Sequence, residues 1–166
     1  SNFSLVDVKI SDTRSDAFDG DFSIGRIEGS SFQRVGGDAI DFSGSKIEVK
    51  DSKFLTVADK AVSVGEQSFL VGRNLQIVDV GTGIVSKDGS QTQVEGVTFG
   101  ETQYYEVMAY TKKPQYGSAT LVVDNALGDK PLRSVAQKKS SLSLNGEKIP
   151  TKKLNVDALY DGYMAK

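Results

Sequence analysis

Apolar and polar residues alternate in short runs over the first hundred positions. Ile47 and Val49 alternate with Lys46, Glu48 and Lys50, and Ile40 and Phe42 alternate with Ala39, Asp41 and Ser43. Val62 and Val64 do the same among Ala61, Ser63 and Gly65. A period of two is the mark of a strand, not a helix. Between the runs lie Gly36-Gly37-Asp38, Ser43-Gly44-Ser45, Gly65-Glu66-Gln67-Ser68 and Lys87-Asp88-Gly89-Ser90. These are turns, because Gly supplies positive φ and Ser and Asp capture nearby backbone groups.

The alternation repeats. The blocks Asp16-Ala17-Phe18-Asp19, Asp38-Ala39-Ile40-Asp41, Lys60-Ala61-Val62-Ser63 and Thr82-Gly83-Ile84-Val85 begin 22 residues apart. A second column, Ile10, Phe32, Phe54, Ile77 and Phe99, is spaced by 22, 22, 23 and 22. A fixed period of this length is the signature of a solenoid. No period holds a helical segment, so helical repeat folds are disfavoured and a β-helix remains. Stacking equivalent strands gives parallel sheets at a spacing of about 4.8 Å.

Parity then predicts which side chains face inward. Phe18, Ile40, Val62 and Ile84 form one core column. Ile27, Val49, Val71 and Val94 form a second, and Phe32, Phe54, Ile77 and Phe99 a third. Ala17, Ala39, Ala61 and Gly83 are expected to point outward and leave a shallow trough of small residues. Asp19, Asp41, Ser63 and Val85 run beside it. No coil could bury its apolar face alone, but a stack can.

The period, the turn composition and the blocks Gly37–Asp41, Asp59–Glu66 and Gly83–Ser90 resemble the right-handed parallel β-helix, the pectate-lyase-like superfamily with short coil repeats. The resemblance covers about residues 4–100. A weaker one is to uncharacterised bacterial β-helix proteins. The family resemblance implies the right hand, which spacing alone does not. The chain departs from the family in lacking an Asn ladder, since Asn74 is the only Asn within the five coils. The expected fold is all-β: about five 22-residue coils over 1–100, then irregular last coils and a β-rich cap over 101–166. Within the second part, Asn145-Gly146 between two apolar runs signals a two-residue hairpin. Leu154–Tyr160 reads as a short strand or helix. The repeat is in phase by Leu5 with no capping segment before it. This raises the expectation of further coils or domains N-terminal in a larger parent protein.

Composition narrows the chemistry. The 166 residues contain no Cys, His or Trp. This removes disulfides, histidine-based triads and the usual zinc sites. Hydrophobic content is 38% and net charge −2, as in a folded domain rather than a disordered one. No apolar run reaches a membrane span of about 18 residues. Residues 1–100 carry ten cations against fifteen acids, a poor match to nucleic acid, whose phosphates need clustered cations.

Chemistry must therefore rest on carboxylates, Lys, Tyr or a bound hard cation. Asp19 and Asp41 stack on adjacent coils, and two such carboxylates repel unless a proton or cation intervenes. Calcium takes several oxygen ligands at once, and Asp16, Asp19, Asp38 and Asp41 could supply them. Carboxyls about 5–5.5 Å apart also suit retaining glycoside hydrolysis. Lys60 and Lys87 are the candidate bases of a lyase or epimerase acting beside a uronate carboxylate. Their plainer role is to offset repulsion within the acid ladder. Asp38, Glu66, Asp88, Tyr110 and Lys112 line the expected trough as substrate contacts. Tyr104, Tyr105, Tyr110 and Tyr116 gather where the repeat ends.

Two functions fit. The first is a structural or carbohydrate-binding β-helix module. It would engage a polysaccharide or cell-surface glycan in the extracellular space or envelope of a bacterium. The second is a lyase, hydrolase or epimerase on acidic polysaccharide, with Asp19, Asp41, Lys60 and Lys87 as candidate catalytic residues.

Overall fold

A computed structural model describes residues 1–165. The chain is a parallel β-solenoid of about six turns of about 22 residues, one more than the five expected. Each turn contributes a strand to each of three sides. On the first side Asn2 pairs with Ile24, Ile24 with Lys46, Lys46 with Phe69 and Phe69 with Gln91. On the second, Ile10, Phe32, Phe54, Ile77 and Phe99 stack in register. On the third, Phe18, Ile40, Val62, Ile84 and Val107 do so.

The extra turn lies after residue 100. Strand Val107–Tyr110 continues the third side, and Thr120–Gly128 lies parallel on Gln91–Phe99. Ser134–Gln137 and Ser141–Leu144 add a further layer. The hairpin forms where expected: Leu144 pairs antiparallel with Glu147, and Asn145 and Gly146 take φ of 50° and 79°. Two successive positive φ values match the right-handed twist of the flanking strands. The segment read as short strand or helix is the helix Val156–Asp161, capped by Asn155, whose side chain accepts from the Ala158 N–H.

The corners explain much of the sequence. Asp7, Gly29, Asp51, Asn74 and Gly96 occupy one corner column, all with φ between 50° and 79°. Asp and Asn tolerate this left-handed region best after Gly. A serine ladder closes another corner. The Ser23 N–H donates to Ser45 Oγ, the Ser45 N–H to Ser68 Oγ, and the Ser68 N–H to Ser90 Oγ. All four serines are buried. They do the work that an Asn ladder would, satisfying backbone donors at buried bends.

Assignments in two columns change. Val71 is half-buried, and Gly72 takes its place between Val49 and Val94. The corner before it, Glu66-Gln67-Ser68, carries one residue more than the one before, so the first side is displaced by one. A one-residue slip exchanges the two faces of a strand. The offset is undone at the corner Val80-Gly81-Thr82, one residue shorter than Val57–Lys60. Ala39, just before the strand Ile40–Ser43, and Ala61, just after the register shift between Val57 and Lys60, are fully buried in the main core rather than outward, and Ala17 packs against it, because the alternation restarts at the bend.

There are two apolar cores. The main one fills the solenoid, with Phe32 stacked on Phe54 at 5.3 Å. The second lies outside it. Val85, Met108 and Val135 hold the outward column that begins Asp19, Asp41 and Ser63. The C-terminal segment covers them with Val156, Tyr160, Tyr163 and Met164. The column turns from acid to apolar where the tail lies on it.

Candidate functional site

The column Asp16, Asp38, Lys60 builds the site. Asp16 Oδ1 accepts the Asp38 N–H at 2.7 Å, and Asp38 Oδ1 accepts the Lys60 N–H at 3.0 Å. Each carboxylate thus ties its coil to the next. A Cβ on Gly37 would lie 2.2 Å from Asp16 Oδ1, so this approach needs glycine.

Lys60 is 1% exposed, an unusual place for an ammonium. Its Nζ donates to Asp59 Oδ2 at 2.9 Å and to Asp38 Oδ1 at 3.3 Å. Asp38 is 1% and Asp59 7% exposed. Burial first, and the facing Asp38 charge second, push the Asp59 carboxyl up to about 6. Asp59 Oδ1 is buried without a hydrogen-bond partner.

Beside this triad opens a recess of about 310 Å³, lined by Asp38, Asp41, Lys60, Lys87, Lys112, Tyr160 and Met164. Lys87 Nζ lies 3.8 Å from Asp41 Oδ1, which has no hydrogen-bond partner. Lys112 Nζ sits 3.8 Å from the centre of the Tyr160 ring. Burial, then the charges of Lys87, Lys113 and Lys60, draw the Lys112 ammonium below its usual range. The wall formed by Tyr160 is fixed from behind, its hydroxyl 2.7 Å from that of the fully buried Tyr110.

The expected site residues separate into groups. Asp38, Asp41, Lys60, Lys87 and Lys112 meet at the recess. Asp16, Asp38 and Asp41 bring one carboxylate oxygen each within 4.8 Å of one another. That is three of the six to eight oxygens calcium takes, and the Lys60 ammonium already contacts one of the three carboxylates. Asp19 pairs in register with Asp41 but is exposed and outside this group. Glu66 lies apart, paired with Lys113 and Tyr116, and Lys113 holds its carboxyl below the usual range. Asp88 is a structural cap: its Oδ1 accepts the backbone N–H groups of Lys112 and Lys113, each at 2.7 Å.

The tyrosines do not form one surface. Tyr105 and Tyr110 pack in the second core, and Tyr104 stacks on Tyr163 at 3.6 Å. The aromatic face at the recess belongs to Tyr160; neither it nor Met164 nor Asp59 is among the expected site residues. A signal was there: Val156, Leu159 and Tyr160 have helical spacing behind the capping Asn155. A trough of small residues also exists, two to three positions before the expected one. Gly36, Ala58 and Gly81 lie in a groove of about 590 Å³, with Arg34, Thr56 and Asp79 at its edge. It is more open and has no buried ionic group, so the smaller recess is the better candidate. No family model, curated protein or solved structure matches the chain.

Proposed function

We propose that the chain is a carbohydrate-binding β-helix module whose recess takes a charged sugar unit of a polysaccharide or cell-surface glycan. One observation carries this: Lys87, Lys112 and Asp41 converge beside an aromatic wall, with Lys87 Nζ 3.8 Å from an Asp41 oxygen that accepts no hydrogen bond. Two ammonium groups suit an anionic substituent, and the Asp41 carboxylate beside them suits a hydroxyl donor. The remaining groups favour binding over catalysis. Lys60 is already engaged with two carboxylates, and Asp19 does not reach the recess. An extracellular or envelope setting fits such a ligand. The first-coil strands have no described partner on their outer edge, and Phe3, Ile10 and Phe18 there are only partly buried. This supports a further β-layer, the coils of a larger parent protein.

Glycan-array binding followed by calorimetry tests the proposal. Acidic oligosaccharides should bind, and Lys87→Ala with Lys112→Ala should weaken binding about tenfold or more, the scale of a lost charge-assisted contact. Failure to bind any acidic or neutral glycan would reduce the module to a scaffold. Release of reducing ends or unsaturated uronate would instead favour the enzyme.

A further inference from the structure

The buried triad is not explained by ligand binding. Three ionisable residues at positions 38, 59 and 60 are each less than a tenth exposed, and burying charges is expensive even when they are paired. Their arrangement is that of an amine, a carboxyl and a proton carrier. Lys60 Nζ is 3.3 Å from Asp38 Oδ1 and 2.9 Å from Asp59 Oδ2. The backbone N–H of Lys60 also donates to Asp38 Oδ1, which stabilises negative charge building on that oxygen. Tyr160 and Met164 cover the group, and Tyr110, Tyr160 and Tyr163 are the other titratable side chains facing Asp59. Asp59 Oδ2 touches the ammonium and its Oδ1 accepts no hydrogen bond, while burial and the facing Asp38 charge raise its carboxyl and so favour a proton there.

We propose that Lys60 and Asp38 condense to an intramolecular amide crosslink, with Asp59 carrying the protons. In the first step Asp59 passes its proton to the Asp38 carboxylate and takes one from the Lys60 ammonium. A neutral amine then faces a neutral carboxylic acid in a site of low dielectric. The Nζ–Cγ bond forms. The Cγ–O bond breaks, and its hydroxyl leaves as water with a proton from Asp59. Asp59 recovers the proton lost by the nitrogen. One ammonium and one carboxylate become one amide and one water, with no oxidant or cofactor. The recess beside Lys60 lets the water out. The product ties the second coil to the third by a covalent rung and removes two charges from the interior.

Intact-mass spectrometry of the purified full chain, folded and incubated at mildly acidic and at neutral pH, tests this. The expected mass is one water below that of the sequence, with a proteolytic peptide that joins the Asp38 and Lys60 segments. Lys60→Arg and Asp59→Asn should both retain the full mass while keeping the β-sheet circular dichroism of the parent. A parent chain at full mass under every condition overturns the proposal. So does a water loss that persists in Lys60→Arg, which would place the dehydration elsewhere, such as an Asp-Gly pair. A crosslink mapped to Asp59 and Lys60 would overturn the assignment of Asp38.

Discussion

Ser45→Ala tests the serine ladder directly. Ser45 is 2% exposed and makes two kinds of contact. Its Oγ accepts the Ser23 N–H at 2.9 Å, and its hydroxyl donates to the carbonyl of Gly20 or Ser43, each at 2.9 Å. Alanine removes both. The Ser23 N–H, on a residue only 7% exposed, is left without its acceptor, and a buried orphan donor costs about 1–3 kcal/mol. The missing oxygen opens too little space for water. A loss of about 2 kcal/mol follows, which for a chain of this size lowers the melting temperature by about 4–8 °C. Urea titration should show a lower midpoint at unchanged slope. Because coils interact mainly with their neighbours, hydrogen exchange should show the Ser23 amide losing protection first. Ser15→Ala, at an exposed turn, should stay within about 0.5 kcal/mol of the parent. If Ser45→Ala melts with Ser15→Ala and the Ser23 amide stays protected, the ladder is incidental.

Other perturbations reach other parts of the fold. Phe54→Ala empties a fully buried ring site under Phe32 and should cost about 3–5 kcal/mol in urea titration; a cost below about 1 kcal/mol would mean that the stack is not continuous. Gly37→Ala forces a methyl to 2.2 Å from Asp16 Oδ1 and 2.8 Å from the Asp16 nitrogen. It should destabilise by about 1–3 kcal/mol, and an unchanged thermal melt would refute the close approach. Burial raises Tyr110 under the tail and Tyr160 and Tyr163 on it, Tyr163 to about 12. Their folded values lie above the ordinary value of about 10. The stability they lend is therefore complete below pH 10 and is lost as pH rises toward 12. Tyrosinate absorbance should lag in that window and rise as the tail detaches, while far-ultraviolet strand signal persists. Ionisation of these tyrosines near pH 10 with the tail still docked would contradict the second core.

The beat of 22 makes the solenoid legible because core columns and corner columns repeat together. The Ile40 and Phe54 columns and the Asn145-Gly146 hairpin followed from that and from turn chemistry. What escaped was set at corners. Parity holds within a strand and lapses at a bend, so it turns Ala39 and Ala61 outward where the fold buries them, and puts Val71 where Gly72 stands. The candidate site suffered in the same manner. Asp38, Asp41, Lys60 and Lys87 were found as members of columns. Asp59 was not, because it lies on a bend. Tyr160 reaches the recess from a tail more than 70 positions along the chain from Lys87. No periodicity links them.

The two unequal corners have a wider meaning. The corner at Glu66–Ser68 gains a residue and the one at Val80–Thr82 gives one up, so Val62 and Ile84 on the third side remain 22 apart. A rod of this kind reads its sequence like a text with local correction. A single insertion garbles the stretch up to the next bend, where one deletion restores the frame. Only two sides of one coil carry the error. The bends are therefore where such a chain can change length over time without dissolving its core, and the one retained at Ala58-Asp59 is where a charged residue has entered the interior.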